Sequence, residues 1–198
     1  MIDAHGDAYA FYSLSCGVNS QGSQLTIKEF GGQIAISTIE AGNAYGIYSY
    51  ASSGNSGLPA DIKISKFSGE ITLTSDNHAY GIYSYVYSRY INASVVIDNF
   101  CGTIGVIAVN NADGIVAAAG LYASSVVTMR VFDGIMTVAA GKKARGIGAE
   151  SDHGASVSID TFSGVLMANS IENAFGIYAD NGYYASASIS IDFMNGVI

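Results

Sequence analysis

The sequence predicts an all-β fold, a parallel β-helix in which the chain winds through about six coils of three strands each. Three observations carry that expectation. One short phrase returns six times, as AYAFY from Ala8, AYGIY from Ala44, AYGIY from Ala79, ADGIV from Ala112, ARGIG from Ala144 and AFGIY from Ala174. The leading alanines lie 36, 35, 33, 32 and 30 positions apart, a spacing that marks a solenoid. Between the phrases, apolar residues recur at every second position, which is the period of a strand, and glycine interrupts each run.

The run that follows each phrase and its loop sets the alignment. Its apolar pairs are Leu25 and Ile27, Ile62 and Ile64, Val95 and Ile97, Val127 and Met129, Val157 and Ile159, and Ile189 and Ile191. Three residues on stands Phe30, Phe67, Phe100, Phe132, Phe162 or Met194, and two further on a glycine invites a corner. After that corner a third run opens with Ile34, Ile71, Ile104, Met136, Leu166 and Ile198 in one column. Within the phrase itself the inward column is Phe11, Ile47, Ile82, Ile115, Ile147 and Ile177. Three strands per repeat, each returning to the same side, place like strands side by side and parallel, with like residues laddered inside. A helical repeat of the same period fails on the alternation, the β-branched and aromatic content, and the frequency of glycine.

Composition agrees with one continuous unit. The chain has 198 residues, of which 49% are hydrophobic and 12% charged, and no linker divides it, so residues 1–198 are expected to form a single solenoid domain cut from a longer repeat array. Sixteen acidic against eight basic residues leave a net charge of −8, which disfavours nucleic acid as a partner. The apolar stretch from Gly114 to Val127 keeps the repeat register and is expected to be a coil, not a membrane-inserted segment. Residues Met1 to Asp7 lack the basic and apolar regions of a signal peptide. Cys16, in the loop after the first phrase, and Cys101, at a corner of the third repeat, stand too far apart to pair and are expected as free thiols.

Function has to be sought on the outside. Tyr12, Tyr48, Tyr83 and Tyr178 follow the inward residue of the phrase, so alternation turns them outward, with Val116 and Gly148 breaking the column. Tyr9, Tyr45, Tyr80 and Phe175 form a second outer column, and Tyr85, Tyr87, Tyr90, Tyr122, Tyr183 and Tyr184 are expected in the loops that follow. Tyrosine offers large contact area at small entropic cost, so Tyr45, Tyr48, Tyr80, Tyr83, Tyr85, Tyr87, Tyr90 and Tyr178 are the candidate binding residues. The competing reading is plain cross-strand packing of a sheet face.

No catalytic, metal or cofactor site is expected. His153 beside Asp152 lacks a paired nucleophile and oxyanion donors. The column Lys28, Ser65, Asp98, Arg130, Asp160 and Asp192 mixes charge signs and reads as salt-bridge compensation, not as the clustered carboxylates that glycan cleavage uses. Lys142, Lys143 and Arg145 are expected in a solvated turn.

The stretch FSGEITLTSDNHAYGIYS, from Phe67 to Ser84, combines a strand ending in F-S-G, a second strand, a polar turn with asparagine and the A-Y-G-I-Y phrase. In this combination the chain resembles the β-helical passenger domains of bacterial autotransporters and related large surface adhesins. The resemblance implies a right-handed β-helix, export through the envelope and a role at the bacterial cell surface or outside the cell. The leading expectation is a non-enzymatic adhesin-like stalk or binding module, with a host surface, a glycan or a protein as ligand. End-to-end self-association into a filament stands second, since an open coil exposes strand edges and an apolar section. A polysaccharide lyase or hydrolase stands third.

Overall fold

The computed structural model describes every residue except 18–21, 54–58 and 183–185. Tyr183 and Tyr184 lie outside the described residues. All eighteen described strands belong to three parallel sheets of six, giving about five turns between the first and last rung.

The first sheet carries the recurring phrase: β2 (Ala8–Gly17), β5 (Ala44–Ser53), β8 (His78–Val86), β11 (Asn111–Ala119), β14 (Lys143–Ser151) and β17 (Asn173–Asn181). The second holds β3 (Ser23–Phe30), β6 (Ala60–Phe67), β9 (Ala93–Phe100), β12 (Ser125–Phe132), β15 (Ala155–Phe162) and β18 (Ala187–Met194). The third comprises β1 (Ile2–Ala4), β4 (Gln33–Thr38), β7 (Glu70–Ser75), β10 (Thr103–Ala108), β13 (Ile135–Ala140) and β16 (Val165–Ser170). The short β1, not anticipated from the repeat, docks with Ile2 opposite Ile36. At the other end Val197 bridges Val165.

Register follows the repeat. Leu25, Ile62, Val95, Val127, Val157 and Ile189 lie in one ladder, and so do Phe11, Ile47, Ile82, Ile115, Ile147 and Ile177. The phenylalanines stack with ring centroids 4.8–5.0 Å apart from Phe30 through Phe162. Phe67, Phe100, Phe132 and Phe162 are wholly buried. Each contributes about 1.5–3 kcal/mol by burial, and each stacked pair about 0.5–1.5 kcal/mol more.

The corner glycine two residues after each phenylalanine has a steric cause. A Cβ at Gly102 would run into the Phe67 ring and the Gly69 carbonyl, and the same collision recurs at Gly69, Gly134, Gly164 and Gly196. Gly32 follows Phe30, the first ring of the ladder, so no ring of an earlier coil lies against it and a Cβ there meets nothing within 4 Å. The ladder can stack only because the residue over each ring has no side chain.

The serines inside the first sheet also have a local reason. Ser49 donates to the Ser23 carbonyl at 3.0 Å and to the Ser23 hydroxyl at 2.8 Å, and Ser84 donates to the Ala60 carbonyl at 2.7 Å. Ser125 occupies the Ser23 position of its own coil, but its register partners are Ala93 and Ala155, and the first-sheet column that supplies Ser49 to Ser23 holds Ala117 and Ala149 at this level. Its hydroxyl is buried with no partner among the described residues.

Several expectations are corrected. Cys16 lies within β2 and Tyr85 within β8, not in loops, because the first-sheet strands run past the phrase. Both cysteines are free and exposed. The mixed-charge column makes no ion pair among the described residues. The pair forms one register position further on, where Lys66 Nζ meets Glu29 at 2.6 Å. Arg145 is not in a solvated turn but buried in β14 at 7% exposure.

Candidate functional site

Among the described residues the outer face of the first sheet is the one aromatic surface of this extent, and the glycine of the phrase shapes it. In β8 both Gly81 and Ile82 turn inward, so Tyr80 and Tyr83 on either side both turn out. A Cβ at Gly81 would strike the Gly114 carbonyl, and one at Gly46 the Gly81 carbonyl, so only glycine allows this double inward step.

Three outer columns result. The first reads Tyr9, Tyr45, Tyr80, Asp113, Arg145, Phe175, the second Tyr12, Tyr48, Tyr83, Val116, Gly148, Tyr178, and the third Leu14, Tyr50, Tyr85, Ala118, Glu150, Asp180. Over the first three rungs the rings stack in both directions. Tyr45 lies 5.0 Å from Tyr80 along the axis, Tyr48 5.8 Å from Tyr83, and Tyr80 4.6 Å from Tyr83 across it.

This packing corrects the picture of a water-facing column. Tyr48 and Tyr178 are each only 8% exposed, and Tyr45, Tyr80, Tyr83 and Tyr85 are half-buried. The rings point away from the solenoid core, as alternation requires, and then bury one another. Burial raises the phenol pKa of Tyr45, Tyr48, Tyr80 and Tyr83 well above its ordinary value, with neighbouring phenols or Asp113 adding to it. All four stand as neutral phenols at neutral pH.

The stack stops at the fourth rung. There the large rings give way to Asp113, Val116 and Ala118, and on the fifth rung to Arg145, Gly148 and Glu150. Asp113 is 1% exposed, and Arg145 holds it by two hydrogen bonds, Nε to Oδ1 at 2.6 Å and Nη2 to Oδ2 at 2.5 Å. The remaining guanidinium nitrogen, Nη1, binds Glu150. Burial pushes the Asp113 carboxyl above its ordinary value while Arg145 pulls it back. Burial opposes the charge on Arg145, and Asp113 more than compensates, so the guanidinium pKa is raised. Fork-on-carboxylate geometry of this kind is the strong form of an ion pair.

Tyr178 closes one side. Its ring lies over Gly148, where any Cβ would overlap it, and it packs against Val116 and Ala118 with Tyr83 and Tyr85 alongside. The Arg145 guanidinium sits 5.3 Å from the Tyr178 ring centroid, within cation–π range. The Tyr178 hydroxyl is buried with no partner among the described residues.

What these substitutions leave is a groove of about 530 Å³. Tyr80, Tyr83 and Tyr85 form one wall, Lys143, Arg145 and Glu150 the other, and Asn111 and Ala118 lie between. Tyr45 and Tyr48 extend the aromatic wall. Its volume falls in the range of small-molecule sites.

Of the candidate residues, Tyr45, Tyr48, Tyr80, Tyr83 and Tyr85 therefore come together at the groove, and Tyr178 packs beside its arginine. Tyr87 and Tyr90 do not join them. They stand 69% and 67% exposed in the following loop, where Tyr90 stacks on Tyr122 at 5.4 Å, both with left-handed backbone at φ 65° and 58°. His153 lies edge-on to Tyr122 at 6.1 Å.

Sequence reasoning missed Asp113, Glu150 and Asn111 and misplaced Arg145. The signal was present: two consecutive copies of the phrase, ADGIV and ARGIG, replace the same aromatic position by opposite charges. No protein-family model, curated protein or solved structure matches this chain.

Proposed function

We propose that this chain is a non-enzymatic β-solenoid segment of a bacterial surface or secreted protein, serving as an adhesin-like binding module whose ligand seats in the tyrosine-walled groove. The observation that carries the reading is the wall of Tyr80, Tyr83 and Tyr85 facing Arg145, Glu150 and Lys143. Half-buried tyrosines held by their neighbours offer contact area whose entropy is already spent on folding. Against catalysis, Arg145 holds both oxygens of Asp113 and one of Glu150, so the site offers no pair of free carboxylates for acid and base work. The net charge of −8 suits a soluble, exported segment that avoids nucleic acid and anionic membrane surfaces.

The test is capture of ligands by the purified chain, on arrays of glycans and of extracellular-matrix proteins, compared with Tyr80→Ala. Capture that the substitution abolishes supports the module. Release of reducing or unsaturated sugar ends from a polysaccharide would replace this reading with an enzyme.

One observation favours a second reading, contact of the solenoid ends with further coils. Inner-column residues of the terminal rungs lie open, among them Phe11 at one end and Ile189, Met194 (51% exposed) and Ile198 at the other. Apolar columns above unpaired strand edges are self-complementary surfaces. Sedimentation reads this directly, and discrete monomers at high concentration count against stacking of separate copies.

A further inference from the structure

We infer that the groove takes an uncharged sugar ring of an oligosaccharide, seated where the tyrosine ladder breaks off and continuing its stack. This deepens the reading of the groove as a ligand site and rests on it. The ladder breaks off abruptly. For three rungs each tyrosine of the first two outer columns has a ring above or below it, but Tyr80 and Tyr83 are followed by Asp113 and Val116. Tyr83 is covered there by Val116 with Tyr178 alongside, whereas Tyr80 has no aromatic neighbour in its column on the fourth rung. A flat ligand at that step meets the negative face of an aromatic ring, which attracts the weakly positive C–H face of a pyranose.

Charge decides what kind of ring fits. Asp113 and Glu150 carry −1 each and Arg145 and Lys143 +1 each, so the four sum to zero. Arg145 has one N–H of each of Nε, Nη1 and Nη2 engaged by Asp113 and Glu150, so its charge is already matched by two carboxylates before a carboxylate or phosphate arrives. An anionic glycan would meet only Lys143, on a chain whose net charge is −8. A cationic ligand such as a quaternary ammonium would meet the tyrosine faces but also the Lys143 ammonium across the groove.

Hydroxyl groups, by contrast, find both donors and acceptors. The Asn111 side-chain amide has no partner among the described residues, the Lys143 ammonium makes no ion pair there, and Glu150 keeps an oxygen outside its single contact with Arg145. A few polar groups converging on an aromatic wall is the usual make-up of a specific small-ligand site.

The experiment is titration calorimetry of the whole chain against maltotriose, cellotriose and chitotriose as neutral probes, oligogalacturonate as the anionic probe and choline as the cationic one. At least one neutral trisaccharide is expected to bind, with affinity changed less than about twofold between low and high salt, since no ion pair forms. Tyr80→Ala and, separately, Asn111→Ala are each expected to weaken binding about tenfold, with Tyr80→Phe close to wild type. Asn111 is half-exposed at a strand start, so its variant reports on binding even where removal of a stacked ring disturbs the fold. Binding of oligogalacturonate or choline in preference to every neutral sugar, lost on Tyr80→Ala, overturns the inference while leaving the groove as a ligand site. Failure of all five probes overturns the inference as well. Binding of any probe that ignores both Tyr80→Ala and Asn111→Ala overturns the groove reading too.

Discussion

Arg145 holds the Asp113 carboxylate of the preceding rung by paired hydrogen bonds of 2.6 and 2.5 Å, at a register position where the first three rungs stack tyrosine on tyrosine. The ladder is thereby continued by charge in place of rings. A buried carboxylate stripped of its cation has no other counter-charge in contact, so Asp113→Ala and Arg145→Ala are each expected to cost about 3–5 kcal/mol. The double replacement Asp113→Tyr with Arg145→Tyr restores the pattern of the other rungs and should recover most of that loss. A double-mutant cycle by urea denaturation measures the coupling, and additive losses would show that the two residues act independently.

Gly148 is where Tyr178 lies down. Gly148→Ala forces the ring off its bed against Val116 and should destabilise by about 1–3 kcal/mol, with a changed near-ultraviolet signal from tyrosine. Gly105 in β10 is the control, since a Cβ there meets only the Ile71 carbonyl at 4.0 Å. Gly105→Ala is expected to be neutral or mildly stabilising in the same denaturation series, and an equal loss at both glycines would contradict the packing described here.

Phe100 has a ring 4.9 Å away on each side and no exposure, so Phe100→Ala should cost about 3–5 kcal/mol. Tyr48, read from sequence alone as water-facing, is buried by Tyr12, Tyr45 and Tyr83. Tyr48→Ala is accordingly expected to cost about 1.5–3 kcal/mol. A change within experimental error at Tyr48 would return its ring to the solvent.

Ser125, between its register partners Ala93 and Ala155, hides a hydroxyl with nothing to receive it among the described residues. Four of the other five coils carry alanine at this position, at Ala60, Ala93, Ala155 and Ala187. Ser125→Ala should raise stability by about 1 kcal/mol, visible as a higher urea midpoint at unchanged slope. A lower midpoint would mean that the hydroxyl is satisfied after all.

The buried tyrosines make the fold alkali-sensitive. Burial raises the pKa of Tyr45, Tyr48, Tyr80 and Tyr83 in the folded chain, while the unfolded chain releases its phenolic protons near pH 10. Their contribution is therefore fully present below about pH 10 and declines as pH rises from there toward the folded values, because the unfolded state then binds fewer protons. Melting temperature and tyrosinate absorbance followed together should show a late, cooperative appearance of tyrosinate with unfolding. Gradual ionisation of all the tyrosines near pH 10 with the melting temperature unchanged would refute it.

The repeat made the fold and the interior legible because a solenoid is nearly one-dimensional. When each coil contacts only its neighbours, an alignment of the repeats is already a list of contacts. The columns from Phe30 to Met194 and from Phe11 to Ile177 could thus be written down from spacing, and so could the corner glycines that leave room for them. Length, period and alternation also placed Tyr45, Tyr48, Tyr80 and Tyr83 on the outer face.

What alternation carries is direction, not exposure. Whether an outward ring meets water depends on what stands beside it: the tyrosines of three successive rungs shield one another and cover Tyr48, while Val116 and Ala118 cover Tyr178. The same limit hid the ion pair. Asp113 and Arg145 are separated by 32 positions, and Arg145 read singly is a solvated charge, yet parallel stacking sets the two one strand apart in a space that Gly148 opens and Tyr178 closes. The sequence by itself determined the coil, its core and the side on which the tyrosines emerge, since these follow from period. Only the tertiary structure decided that the break in the ladder is a groove with a neutralised floor, since that depends on the volumes and charges of side chains meeting from three separate coils.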